Sequence, residues 1–228
     1  MKIVINSHIK SEIALNHLLE SMKIQSEFKS YDIIIVIGGY YDNYTEYNIE
    51  DNENIKNIKY IKCRHNSIDF TGLITLLDLY SKNEDEYYLY LHDTTKVGNN
   101  FYTKLKSINL TNISSIKIKK DYSMNIGIYS QKIINQFKDF LLSRKNNNES
   151  KCLEFKNINF SFEDYIFKND NNNIILDDYN DDNASKPLDY YNTGVIRIIE
   201  YYPNLDLYKM KSWYFYNDTP LLIPNLKN

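Results

Sequence analysis

The sequence predicts an α/β domain, a mostly parallel sheet with helices on both faces. Two observations predict it. In the first part of the chain, strand-like apolar runs alternate with segments whose apolar residues recur at helical spacing, in the order β-α-β-β-α-β. One of those runs, Asp32 to Gly38 (DIIIVIG), is continuous and β-branched. A strand with one wet face would alternate with polar residues, so this run reads as covered on both sides.

Taken in order, Lys2 to His8 is a buried strand with Ile3, Val4 and Ile5 in succession. Ser11 is placed to cap a helix that sets Leu15, Leu18, Leu19 and Met22 on one face. Asp32 to Gly38 is the second strand and Asn57 to Cys63 the third. Asp69 is expected to cap a helix with Leu73, Ile74, Leu76, Leu77 and Tyr80 toward the core. Tyr87 to Leu91 is the fourth strand, ending at His92-Asp93-Thr94-Thr95.

Beyond it, Ser115 to Lys119 and Met124 to Tyr129 read as short strands. Ser130 to Lys145 reads as one amphipathic helix carrying Ile133, Ile134, Phe137, Phe140 and Leu141. Asn146 to Asn148 is a polar loop and Phe160 to Phe167 a short helix. The Asn/Asp-rich stretch Asn169 to Lys186 is expected to be a mobile surface loop, interrupted by Ile174 to Leu176. Pro187, Pro203, Pro220 and Pro224 all follow it, so the C-terminal part is expected to be irregular and to wrap the body.

A chain of 228 residues with 43% hydrophobic content suits one large domain with a sizeable core, or at most a domain with an appendage. Charge is nearly balanced, 27 Lys+Arg against 30 Asp+Glu, which argues against a nucleic-acid partner. Cys63 and Cys152 are isolated thiols, so neither a zinc site nor a disulfide framework is indicated. With no apolar leader and no run long enough to span a bilayer, the expected setting is intracellular, in the cytoplasm. The 22 Tyr are mostly compositional bias; a smaller share is a candidate surface for stacking on sugar rings.

In an open α/β sheet, ligands bind at the carboxyl ends of the strands. That rule nominates Ser7 and His8 after the first strand, then Gly38, Gly39 and Tyr40 after the second. Arg64, His65, Asn66 and Asp69 follow the third, and His92 and Asp93 the fourth. Singly each is ordinary turn or cap chemistry; together they mark one edge of the sheet.

The succession DIIIVIGG, RHNSIDFTGLI and YYLYLHDTT resembles the nucleotide-sugar half of a GT-A glycosyltransferase. The resemblance implies a GT-A-like three-layer sandwich with a small mixed region on the acceptor side. It makes 1–228 a single domain, with 1–100 as the nucleotide-sugar half and 101–228 as the acceptor half. It also implies a nucleoside diphosphate sugar as donor and a glycan or other hydroxyl as acceptor. Ser7, His8, Gly38, Gly39, Asn66, Asp69, His92 and Asp93 would then frame the donor. Here His92-Asp93-Thr94 stands where the family usually carries D-x-D, leaving a single carboxylate. Either Asp93 binds a divalent cation (Mn²⁺ or Mg²⁺), or Lys96, Arg197, Lys209 and Lys211 neutralise the diphosphate instead. Phe162-Glu163-Asp164 resembles the family's x-E-D signature, which makes Asp164, beside Glu163, the candidate general base of an inverting transfer. Gly127, in a strand pattern, points to a bulge or a close ligand approach. Tyr201, Tyr202 and Tyr208 are candidate acceptor contacts. Two rivals stay open: a sugar- or nucleotide-binding module that keeps the fold without the chemistry, and, with less support, a nucleotidyltransferase.

Overall fold

A computed structural model of the chain describes residues 1–119, 125–146, 162–177 and 196–212; side chains of 177, 196–200 and 210–212 lie outside that description. Met124, Asn147, Asn148, Cys152, Phe160, the stretch 178–186, Pro187, Pro220 and Pro224, named above, also lie outside it.

The architecture is α/β, with a large, mostly parallel central sheet. Its core is β1 (Lys2–His8), flanked in parallel by β2 (Ile33–Gly38) and β5 (Tyr87–His92), with β4 (Ile58–Cys63) parallel beyond β2. β3 (Tyr47–Asp51) closes one edge antiparallel to β4. On the other side β8 (Gly127–Ser130) runs antiparallel between β5 and β7 (Ser115–Lys119), and β9 (Asn173–Asp177) pairs in parallel with β7. The order across the sheet is β3-β4-β2-β1-β5-β8-β7-β9.

Alternate residues of each strand face opposite layers. Ile3, Ile5, Ile33, Ile35, Leu89 and Leu91 bury against α1 (Glu12–Lys23) and α3 (Phe101–Lys106). Val4, Ile34, Val36, Tyr88 and Tyr90 bury against α2 (Thr71–Tyr80), α4 (Gln131–Gln136) and α5 (Lys138–Ser143). This two-sided burial is why the central strands read as unbroken apolar runs.

Several expectations change. The predicted helix from Ser130 to Lys145 breaks at Phe137 (φ −95°, ψ 24°) into α4 and α5, and the Ser130 hydroxyl accepts the Ile133 N–H at its start. The short helix α6 spans Tyr165–Asn169. What was expected as a loop after Asn169 contains β9, because Asp170 organises its approach by accepting from the Ser114 and Ser115 hydroxyls. Within the C-terminal part expected to be irregular, the described residues 196–212 form a hairpin. β10 (Ile196–Tyr202) and β11 (Leu207–Ser212) pair antiparallel, and β11 pairs with β6 (Thr95–Val97). Pro203 sits in its turn. Gly127 is close-packed rather than ligand-facing: a Cβ there would stand 2.4 Å from the Ile116 carbonyl oxygen and 2.5 Å from the Phe167 ring.

Candidate active site

The carboxyl ends of β1 and β5 lie side by side, and their last residues meet. Ser7 Oγ donates to Asp93 Oδ2 at 2.8 Å, and the Asp93 N–H donates to the Asn6 carbonyl at 3.0 Å. The Thr95 hydroxyl closes the following turn onto the His92 carbonyl at 2.7 Å, which fixes the direction of the Asp93 side chain. Asp93 is only 8% exposed. Burial pushes its carboxyl up to about 6, against the stabilising hydrogen bond from Ser7, the Lys209 charge and the Ser11 hydroxyl.

Asp69 arrives from the next element by a strained route. Ile68 has φ 55°, which a β-branched residue adopts only under constraint. The constraint is Asn6, whose Nδ2 donates to the Ile68 carbonyl (3.0 Å) while its Oδ1 accepts the Gly72 N–H (2.9 Å). Asn66 Oδ1 accepts the Ile68 N–H (2.9 Å). Asp69 therefore does not cap α2, whose first turn has no side-chain cap. It is aimed at His92, whose Nδ1 lies 3.6 Å from Asp69 Oδ1. Burial pulls His92 down to about 4, so at neutral pH it is an uncharged imidazole. Among the described residues nothing hydrogen-bonds its Nε2.

Glu163 completes this group. It is 1% exposed, and among the described residues neither carboxyl oxygen has a donor. Burial first, then the charge of Asp69, raise it far above the ordinary carboxyl range, so it carries a proton at neutral pH. With that proton it donates to Asp69; as two carboxylates the pair would have acceptors only. Asp164 is next in sequence, and its charge acts on Glu163. Its Oδ2 is 2.7 Å from the Lys117 ammonium in a buried ion pair.

The hairpin supplies the cation of the cluster. Lys209, 4% exposed, donates from Nζ to Thr94 Oγ1, and its charge acts on Asp93, His92 and Glu163. Cross-strand partners share a face. Lys209 pairs with Thr95 facing inward, while Lys96 pairs with Tyr208 on the outer face. Lys96 is therefore on the opposite side of the hairpin from Asp93. Arg197 and Lys211 lie on β10 and β11 by their backbone, and their side chains are outside the description.

The remaining nominated residues divide. Gly39 (φ +97°) needs its freedom, because a Cβ would stand 2.6 Å from His8 Nε2; the His8 ring lies over this glycine at the strand ends. A Cβ on Gly38 would press at 3.0 Å on both the His65 carbonyl and Thr71. Asn66 spends its side-chain oxygen on the Ile68 turn. Tyr202, 2% exposed, is part of the core and offers no face to an acceptor, which corrects its nomination. Tyr201 and Tyr208 pack against each other on the outer face of the hairpin, with ring centres 4.6 Å apart and planes tilted by 33°. Sequence reasoning missed Asn6, Ser11, Thr94 and Lys117. Only Lys117 left a signal, as a lysine inside the interior strand SIKIK, whose five residues are all buried.

A hard divalent cation needs several oxygen ligands at once. Asp93 offers one carboxylate, already engaged by Ser7 and Ser11 and facing the Lys209 ammonium. Among the described residues no three His, Cys, Asp or Glu side chains converge to hold an ion. These residues do not fit a metal chelated by the protein. No described helix is long and apolar enough to cross a membrane.

No protein-family model matches the sequence, and no curated protein matches it. Among solved structures, the fold is similar to that of residues 1–349 of TarS from S. aureus, with 16% identity and a TM-score of 0.45. The match covers 78% of this chain and 59% of that one. It is similar to galactosyltransferase LgtC in complex with donor and acceptor sugar analogues, with 13% identity and a TM-score of 0.46, over 78% and 73% of the two chains. A longer S. aureus TarS structure matches with 13% identity and a TM-score of 0.41, over 78% of this chain and 36% of that one. The chain thus spans 59% of the length of the first TarS structure.

Proposed function

We propose that this chain is a glycosyltransferase that moves a sugar from a nucleoside diphosphate sugar to a hydroxyl acceptor, with inversion. The observation that carries this reading is the convergence at the carboxyl edge of β1 and β5. There a buried carboxylate, a neutral imidazole, a proton-bearing carboxyl and a buried ammonium (Asp93, His92, Glu163, Lys209) meet beside Asp69. Ser7, His8, Gly38, Gly39, Asn66 and Asp69 frame the nucleotide, and Asp93 addresses its ribose. Glu163 holds a proton and cannot accept one, so of the two adjacent carboxyls Asp164 is the general base. It takes the acceptor hydroxyl proton while that oxygen attacks the anomeric carbon. Lys117 fixes its orientation. The C–O bond to the diphosphate breaks, and its electron pair leaves with the diphosphate oxygen.

One observation favours a second reading. Asp164 is 3% exposed and spends one oxygen on Lys117, as a purely structural ion pair would. A binding module on the same sheet would hold nucleotide sugars without turning them over. Incubation with a panel of UDP-, GDP-, CDP- and ADP-sugars, with and without Mn²⁺, separates the two. Release of nucleoside diphosphate supports the transferase; binding without release supports the module; neither binding nor release defeats both.

A further inference from the structure

The placement of Lys209 goes further than its charge. It reaches the site from a separate three-stranded sheet, so its position depends on how the hairpin is docked. Asp206, at the turn, docks it. The Asp206 carbonyl accepts the Gly98 N–H (2.7 Å), and its carboxylate accepts the Asn100 N–H (2.8 Å) and the Tyr201 hydroxyl (2.9 Å). Gly98 must be glycine for this approach, because a Cβ would stand 2.2 Å from Asp206 Oδ1. With that end fixed, the Thr95–Lys209 register delivers the ammonium to the turn that carries Asp93. Burying an ammonium is costly unless opposite charge or strong acceptors compensate. Here the carboxyl groups of Asp93 and Glu163 feel that charge, and it stands where a diphosphate would need a positive partner, while among the described residues no three His, Cys, Asp or Glu side chains are grouped to hold a metal.

We propose that Lys209 is the resident cation of this site: it carries the leaving-group charge of the nucleoside diphosphate, so that donor binding and transfer need no divalent ion. This rests on the glycosyl-transfer reading above. In the step, the anomeric C–O bond breaks, its electron pair passes to the diphosphate, and the Lys209 N–H groups stabilise the oxygen that gains the charge. The acceptor oxygen forms the new bond and gives its proton to Asp164. Every atom is accounted for without a co-reactant.

The test is calorimetric titration of the full chain with UDP, GDP, CDP and ADP, in excess EDTA and in excess Mn²⁺, with Mn²⁺ alone as a separate arm. At least one diphosphate is expected to bind equally well in both conditions, and Mn²⁺ alone to give no stoichiometric binding. Lys209→Met is expected to weaken that binding in EDTA at least tenfold, about 1.4 kcal/mol, while Lys209→Arg stays near wild type. If Lys209→Met does not fold, the wild-type EDTA arm and the arginine variant still decide. Wild-type binding that requires Mn²⁺, or Lys209→Met with undiminished affinity in EDTA, overturns the resident-cation role and leaves the glycosyltransferase reading standing. Absence of binding to all four diphosphates in both conditions defeats that reading, and this proposal with it.

Discussion

Glu163 and Asp69 bring two carboxyl groups together in a site shielded from water, and a hydrogen bond forms between them only when Glu163 carries a proton. The proton is therefore a structural component of the site, and its linkage to pH can be worked out. Folded Glu163 stays neutral, whereas the unfolded chain ionises it above its ordinary value of 4.5. The folded state then holds the extra proton, so stability falls as pH rises. Asp93, raised to about 6, contributes with the same sign, and its contribution is lost by that pH. His65 and His92, both pulled down to about 4, act oppositely, and their contribution is lost as pH falls below 6.5.

Below pH 6.5 the two histidines offset the two acids. Above it Glu163 remains. Unfolding free energy is expected to decline as pH rises from 6.5 to 8.5. Glu163→Gln, whose amide also donates to Asp69, is expected to flatten that slope. Urea denaturation across the pH range checks this; equal slopes for the two proteins would contradict a proton on Glu163.

The Lys117–Asp164 pair is expected to show the asymmetry of buried ions. Lys117→Met removes the ammonium that faces the buried Asp164 carboxylate and is expected to cost about 3–5 kcal/mol. The double variant with Asp164→Asn is expected to recover much of that loss. A double-mutant cycle from urea unfolding measures the coupling, and additive losses would show that the ion pair contributes nothing of its own.

Gly127→Ala is expected to destabilise by about 1–3 kcal/mol through overpacking. Phe167→Leu should relieve part of it by removing the ring contact. The rest persists, because the nearest atom is the Ile116 carbonyl oxygen, at 2.4 Å, which is backbone. Full rescue would mean that the carbonyl moves freely.

Relief of strain at Ile68 is the converse case. Asn is at home in the left-handed region, so Ile68→Asn is expected to gain about 1 kcal/mol in thermal or urea unfolding. Asn6→Ala removes the hydrogen bonds that hold the turn and is expected to lose about 1–3 kcal/mol. A destabilised Ile68→Asn would show that the Ile68 side chain contributes more by packing than its backbone costs.

The central strands were legible because burial on two faces forces continuous apolar sequence, as in Ile33 to Ile37. The strand-end rule then found Ser7, His92 and Asp93 in one place. What escaped was short or polar. β3 is an edge strand with four of its five residues exposed, and β6 has three residues. The hairpin was hidden because Pro203 reads as a breaker, whereas it occupies the turn and leaves IRIIEYY and LYKMKS free to pair. Asp69 was expected as a cap because an acid before an apolar helix usually is one. A strained Ile68, held by the distant Asn6, turns it to His92 instead. Lys117 and Asp164 are 47 positions apart, and no local pattern announces such a pair. Pairings of that kind come from the topology.

The central claim is glycosyl transfer with Asp164 as base, and its most direct test is nucleoside diphosphate release from the nucleotide-sugar panel by wild type and Asp164→Asn, with donor affinity measured alongside. The account predicts turnover by wild type, and a fall of roughly 10²–10⁴-fold in the variant, the usual worth of a positioned general base, at unchanged donor affinity. An Asp164→Asn protein that binds donor and turns over at the wild-type rate would contradict it.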